Sequence, residues 1–206
     1  MSSFPERVSV LGSALRPRSL PLVPELTLWL LGDDVDLNSR ISELLAVERA
    51  PYWAFCWGSG QALARHILDH PQLVRGKHVV DFGAGCGVVA IAAMRAGAAR
   101  ATAVDIDGVA LEAAKANASM NGVTIDVGLA VPEQYDLLAG SDVLYEVGNR
   151  DFLAEQIAQG RGVLVADPLR QGNPKLELAP DARYEVRCVP DVDYPVTQAI
   201  IYHLHG

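Results

Sequence analysis

Between residues 77 and 87 the chain reads Lys-His-Val-Val-Asp-Phe-Gly-Ala-Gly-Cys-Gly, and this stretch limits the possible folds more than any other. A short β-branched run ends in an acid. Glycine then takes every second position, and an alanine-rich run with helical spacing follows. That order gives a buried strand, a tight turn and a helix start. Gly83 and Gly85 allow φ > 0 and let a ligand lie against bare main chain. The free N–H groups that open the next helix favour an anionic or carboxylate-bearing ligand. The stretch therefore points to a nucleoside-type cofactor at the end of the first strand of an α/β sheet.

The glycine spacing narrows the choice. A dinucleotide fingerprint needs its third glycine three positions after the second, and position 88 is Val. No Gly-Lys-Ser/Thr follows, so a P-loop is excluded too. A second apolar run, 101–105, ends in Asp105, which lies 24 residues beyond Asp81. That interval suits a strand–helix–strand crossover with a helix over 86–96 stopped by Gly97. An acid at this strand end can accept both hydroxyls of a ribose. Asp107, just before the helical run 109–120, reads instead as an N-cap. Asp81 with Gly83, Gly85 and Gly87 forms D-x-G-x-G-x-G, which resembles motif I of class I S-adenosylmethionine-dependent methyltransferases.

Size and charge exclude several classes. With 206 residues the chain suits one α/β domain with a sizeable core. Half its residues are hydrophobic, yet no run reaches the roughly 18–20 apolar residues that span a bilayer. Residues 1–20 lack a continuous apolar stretch before a cleavage site, which argues against secretion. A net charge of −8 opposes non-specific nucleic-acid binding and leaves basic partners open. Cys56, Cys86 and Cys188 are odd in number and far apart, which fits a reducing compartment, the cytoplasm by default. They form no zinc pattern. His203 and His205 share one strand face without a third ligand, so no metal is expected.

Along the chain, residues 1–50 read as an N-terminal cap and 51–206 as the cofactor domain. The cap has an extended piece near 26–31 and a helix over 39–47 with Asn38 as N-cap. A helix over 60–69 precedes the first sheet strand at 78–82. Further strands are expected at 101–105, 123–127, 136–141 and 162–166, with helices at 86–96, 108–120 and 149–159 between them. Two longer strands, 183–189 and 198–204, close the chain. Alternating β and α predicts a doubly wound, mostly parallel sheet whose final hairpin adds an antiparallel strand. The methyltransferase resemblance implies seven strands in the order 3-2-1-4-5-7-6, counted from the strand at 78–82.

Ligands of such sheets lie outside the carboxyl ends of the strands. The candidates are therefore Gly83 and Gly85, then Asp105 and Ile106, then Asp126 and Val127, then Ser141, Asp142 and Tyr145. Asp126 can accept from an adenine amino group, with the Val127 N–H meeting a ring nitrogen; it reads equally well as a turn residue. Trp57 can frame the methionine end of the cofactor or a methyl-accepting ammonium, whereas Trp53 reads as core. Asp142-Val143-Leu144-Tyr145 matches the D/E-x-x-Y/F signature of the seven-strand protein lysine methyltransferases. Residues 51–63 and Asp167-Pro168-Leu169-Arg170 resemble the branch of that family that modifies electron transfer flavoprotein β-subunit. Gly58 stands where that branch usually has proline, and the 128–134 connection leaves little room for a substrate-specific insertion.

The resemblance implies S-adenosylmethionine as cofactor, with Trp57, Asp81, Gly83, Gly85, Asp105, Ile106, Asp126, Val127 and Ser141 around it. It implies a lysine acceptor on a protein, the flavoprotein β-subunit, and no nucleic-acid or membrane partner. Asp142 and Tyr145 would orient the incoming amine, and Glu146 would attract the cationic side chain. A small-molecule N-methyltransferase acting on a nicotinamide-like amine is the alternative, followed by an inactive cofactor-binding module.

Overall fold

A computed structural model describes residues 4, 14–33, 51–168, 179–191 and 197–204. The helix expected over 39–47, Arg170 and His205 lie outside the described residues.

An antiparallel hairpin, β1 (Leu15–Ser19) and β2 (Thr27–Leu31), comes first, so the extended piece of the cap has a partner strand. Helix α1 (Gly58–Asp69) leads into β3 (His78–Phe82), α2 (Val88–Arg95), β4 (Arg100–Val104) and α3 (Gly108–Met120). Then follow β5 (Asp126–Gly128), β6 (Leu137–Ser141), α4 (Val147–Ala158), β7 (Gly162–Asp167), β8 (Ala182–Glu185) and β9 (Gln198–Leu204). The main sheet runs β5-β4-β3-β6-β7-β9-β8. Once the two hairpin strands are set aside, this is the expected order. The first five strands are parallel, and β9 enters antiparallel between β7 and β8.

Strands covered on both faces read as continuous apolar runs, and their alternation divides the core in two. Val79, Leu137, Leu164 and Ile201 point to the side of α1 and α2, where Leu63, Ile67 and Ile91 are buried. Val80, Leu138, Val163 and Val165 point to the other side and pack with Val143, Leu144 and Leu153 of the α4 region. The hairpin backbone is bound by two asparagine side chains at the end of α3. Asn121 accepts from the Thr27 N–H at 3.0 Å and donates to its carbonyl at 2.7 Å, while Asn117 accepts from the Trp29 N–H at 2.7 Å.

Most boundaries shift by one to three residues from the sequence reading, and three of the shifts have a clear local reason. Helix α2 starts at Val88 because Gly87, at φ +79°, is a left-handed N-cap. Strand β5 starts at Asp126 because the preceding residues close α3, with Gly122 at φ +69° and the Val123 N–H on the Ala118 carbonyl at 3.0 Å. Strand β8 ends at Glu185 because the chain then leaves the sheet. Its Val189 pairs with Cys56 in both directions, at 2.8 and 3.0 Å.

Candidate active site

The loops after β3, β4 and β6 converge at the carboxyl edge of the sheet. After β3, the Gly83 and Ala84 N–H groups both donate to the Val104 carbonyl, at 2.9 and 3.0 Å. Gly85 follows at φ +50°, and a side chain there would meet nothing closer than the Trp53 backbone at 3.9 Å. The main chain is therefore open to a ligand on that side. Gly87 answers a different need: a Cβ would come within 2.7 Å of the Ala114 Cβ, so only glycine lets α2 and α3 approach.

Asp105 joins two of these loops. One carboxylate oxygen accepts from the Gly85 N–H at 2.9 Å and the other from the Asp107 N–H at 3.0 Å. Each oxygen keeps a second lone pair for a hydroxyl donor. Asp107 caps α3 through the Val109 N–H at 2.8 Å, as its position suggested. Ile106, between them, is 78% exposed. Its side chain and the backbone at Gly85 can receive a flat apolar ligand that carries hydroxyl donors.

Asp81 lies beneath this surface rather than on it. It is buried and accepts from the Ala90 N–H at 2.9 Å, in the first turn of α2. Loss of water drives its carboxyl up to about 7; the Ala90 hydrogen bond opposes that rise and the charge of Asp105 adds to it.

Asp126 does not stand at the ligand edge. As the first residue of β5 it pairs in register with Thr102, and its carboxylate binds the Arg100 guanidinium at 2.6 Å. Arg100 opens β4, so that ion pair lies toward the amino end of the sheet. Val127 is half-buried against the main core. The carboxyl end of β5 is Gly128, followed by Leu129, which is 67% exposed. The displacement comes from α3 closing through residue 123, which delays the strand.

After β6, Ser141 is half-buried and faces Gly60 of α1, where a Cβ would lie 3.5 Å from its Oγ. Asp142 is the only non-glycine among the described residues with positive φ, at +56°. Aspartate is one of the few residues that tolerates this region, and such positions cluster at functional sites. The turn is held from both sides: the Asp142 N–H donates to the Ala166 carbonyl at 3.0 Å. Asn149 donates to the Val143 carbonyl at 3.1 Å, and Arg150 to those of Leu144 and Tyr145 at 2.6 and 3.3 Å. Tyr145 and Glu146 stand exposed on this braced turn. Sequence reasoning missed Asn149 and Arg150. Their signal is a pair of polar side chains in the first turn of the helix after the Asp-x-x-Tyr element.

The segment before α1 forms the remaining wall. Trp53 is buried edge-on against Phe4, with ring centres 5.8 Å apart. Trp57 is half-buried, packs on Phe55 at 5.6 Å and donates to the Tyr52 carbonyl at 3.3 Å. The two tryptophans thus divide as their positions suggested, one core and one accessible. Buried Gln61 ties this wall to the chain end, donating to the Cys56 and Arg187 carbonyls at 3.2 and 2.7 Å. Gly58 lets Val186 approach within 2.6 Å of where a Cβ would stand, a contact proline could not accept. Cys56, Cys86 and Cys188, distant in sequence, are close enough here to perturb one another. Burial, then the neighbouring thiols, raises Cys56 well above its ordinary value, and burial first of all pushes Cys188 up to about 12. Such thiols are inert.

Among the described residues no group of three or more His, Cys, Asp or Glu side chains, the three buried thiols included, is arranged to hold a metal ion, and no helix is long and apolar enough to cross a membrane.

Comparison with known proteins agrees with this geometry. The family model of ribosomal protein L11 methyltransferase (PrmA) matches residues 51–149. The electron transfer flavoprotein beta subunit lysine methyltransferase of Xenopus laevis is 35% identical over 199 residues, which cover 88% of this chain and 80% of that protein. Its Rattus norvegicus counterpart is 39% identical over 131 residues, 58% of this chain, and there the match spans about half the relative's length, 51%. A solved Pyrococcus horikoshii structure, provisionally described as an RNA methyltransferase, shares the fold at a TM-score of 0.58 and 15% identity. That alignment covers 82% of this chain and 98% of the other. With a seven-strand methyltransferase sheet and 35% identity over most of a curated relative, the chain belongs to the family of electron transfer flavoprotein beta subunit lysine methyltransferases, enzymes that depend on S-adenosylmethionine.

Proposed function

We propose that this protein methylates a lysine side chain on a partner protein, the β-subunit of electron transfer flavoprotein. The observation that carries the reading is the turn at 142–146. A left-handed aspartate, held through its N–H by the Ala166 carbonyl, is followed by an exposed tyrosine on a turn braced by Asn149 and Arg150, directly beside a glycine loop open to a ligand. Family membership supplies the acceptor class.

S-adenosylmethionine, when bound, supplies a methyl group activated on a sulfonium. The chain's own residues bind and align. The backbone at Gly83 and Gly85 would receive the amino-acid end of the cofactor, and Asp105 the ribose hydroxyls. The exposed side chains of Ile106 and Leu129 would cover the adenine faces, and the hydrogen bonds to the adenine edge expected of Asp126 and Val127 would fall to the segment after β5. Trp57 and Ser141 border the space between cofactor and acceptor, and Asp81 holds α2 in place beneath it. Asp142 and Tyr145 orient the acceptor nitrogen, since in-line displacement demands alignment above all. A lysine must first lose a proton, and burying the ammonium favours that loss whereas a nearby carboxylate opposes it. Asp142 therefore positions the amine, whose proton would pass to solvent before the methyl group is transferred. Glu146, exposed at the mouth, and the net charge of −8 favour a lysine-rich partner surface. The cytoplasm is the compartment we propose, since Cys56, Cys86 and Cys188 are buried thiols.

The test is intact-mass analysis of purified flavoprotein after incubation with enzyme and methyl donor, at low and high salt. Mass increments of one or more methyl groups on the β-subunit, reduced at high salt, are expected. An unmodified flavoprotein alongside a methylated small amine or another methylated protein in the same lysate rejects this substrate.

A further inference from the structure

We propose that Asn117, in the last turn of α3, is a positioning residue that ties the N-terminal hairpin to the glycine loop and sets the loop's shape. Its side chain is fully buried and both ends are used. The Oδ1 atom accepts from the Trp29 N–H of β2 at 2.7 Å, and the Nδ2 group donates to the Cys86 carbonyl at 2.9 Å.

The second bond matters because of what surrounds Cys86. Gly85 and Gly87 flank it at φ +50° and +79°. Glycine enters and leaves such angles with little preference, so the loop's conformation depends on the bonds made to it. One lies within the loop, from the Gly87 N–H to the Ala84 carbonyl at 2.8 Å, and two come from outside. Asp105 fixes the N–H of Gly85 at 2.9 Å, and Asn117 fixes the carbonyl of Cys86. Holding that carbonyl holds the whole peptide plane, including the Gly87 N–H at the start of α2. The amide is suited to this because it accepts toward β2 and donates toward the loop at once. Leucine can do neither, and an ionised aspartate only the first.

Asn121, one turn further on at the C-cap of α3, provides an internal control. It bonds to Thr27 of the same hairpin on both its N–H and its carbonyl, and to the Asn117 carbonyl. Among the described hydrogen bonds its side chain makes none to the glycine loop. Loss of Asn121 thus releases the hairpin alone, whereas loss of Asn117 releases hairpin and loop together.

The inference rests on the reading that the glycine loop receives S-adenosylmethionine. Its test compares wild type, Asn117→Leu and Asn121→Leu by calorimetric titration with S-adenosylhomocysteine, alongside thermal denaturation and amide hydrogen exchange of the ligand-free proteins. In Asn117→Leu, affinity should fall roughly tenfold, the scale of one buried hydrogen bond left unmade, and the Gly85 and Gly87 amides should exchange faster. Asn121→Leu should lose comparable stability yet bind within about twofold of wild type, with loop exchange unchanged. Equal affinity losses in the two variants, or none in Asn117→Leu, overturn the proposal. Should Asn117→Leu not fold, Asn117→Ala removes the same two bonds without added bulk, and it should show the same loss. Wild type that fails to bind refutes the cofactor reading instead, and the ligand-free exchange rates then decide the coupling separately.

Discussion

Asp81 gives the most quantitative forecast. Its carboxyl ionises near 3.8 in the unfolded chain and at about 7 in the fold, chiefly because burial strips it of water. Between those values the folded protein keeps a proton that the unfolded chain has released. Stability therefore falls as pH rises through the window, and the loss is complete above pH 7. A gap of about three pH units at about 1.4 kcal/mol each amounts to about 4 kcal/mol. The variant Asp81→Asn has nothing to titrate at this position, while its amide carbonyl can still accept the Ala90 N–H. Any strain from placing an amide there does not depend on pH. The informative quantity is thus the stability of Asp81→Asn relative to wild type as a function of pH, since other titrating groups cancel in the difference. From pH 5 to pH 8 that difference should move about 2.5 kcal/mol in favour of the variant. Urea denaturation of both ligand-free proteins at half-unit pH steps measures it. A difference that stays flat within about 0.5 kcal/mol, or one that moves toward wild type, would refute the claim that Asp81 is held protonated by burial.

Other outcomes follow from single contacts. Gly87→Ala should destabilise by about 3 kcal/mol, from a left-handed residue given a Cβ and a 2.7 Å approach to Ala114, read as a drop in Tm. Asp126→Ala removes a half-exposed surface ion pair with Arg100, so stability should change by less than about 1 kcal/mol and cofactor affinity should stay unchanged. Normal binding in that variant, with weakened binding in Asp105→Ala by about 1.5–3 kcal/mol in calorimetry, separates the two acids that sequence alone placed together. Arg150→Met frees the carbonyls of Leu144 and Tyr145; kcat should fall while cofactor affinity holds, and a parallel loss of both would place the turn in the cofactor pocket.

Much of this protein was readable from the sequence because local chemistry and tertiary demand coincide. Glycines at 83, 85 and 87 after a β-branched run mark a strand–turn–helix, and the runs at 78–82 and 162–166 read as strands covered on both faces. Asp105 and Asp107 could be given different tasks two residues apart, since one ends a strand and the other precedes a helix. What the sequence left open depends on where neighbouring elements end and on groups far away in the chain. Asp126 looked like a strand end and became a strand start because α3 uses the residues before it for its own closure. The tail beyond Glu185 looked like continuous strand, yet Val189 finds its partner in Cys56, more than half the chain away. Asn117 bears no mark of function in one dimension, and Asn149 and Arg150 only that of polar residues opening the helix after the Asp-x-x-Tyr element. Each acts by hydrogen-bonding a backbone carbonyl of a loop it meets only in the folded molecule, and no spacing rule encodes which carbonyl that will be. Sequence patterns here specified the backbone's regular parts, where the partner of every N–H is set by periodicity. Tertiary structure decided the loops, where each polar group must find a partner through packing.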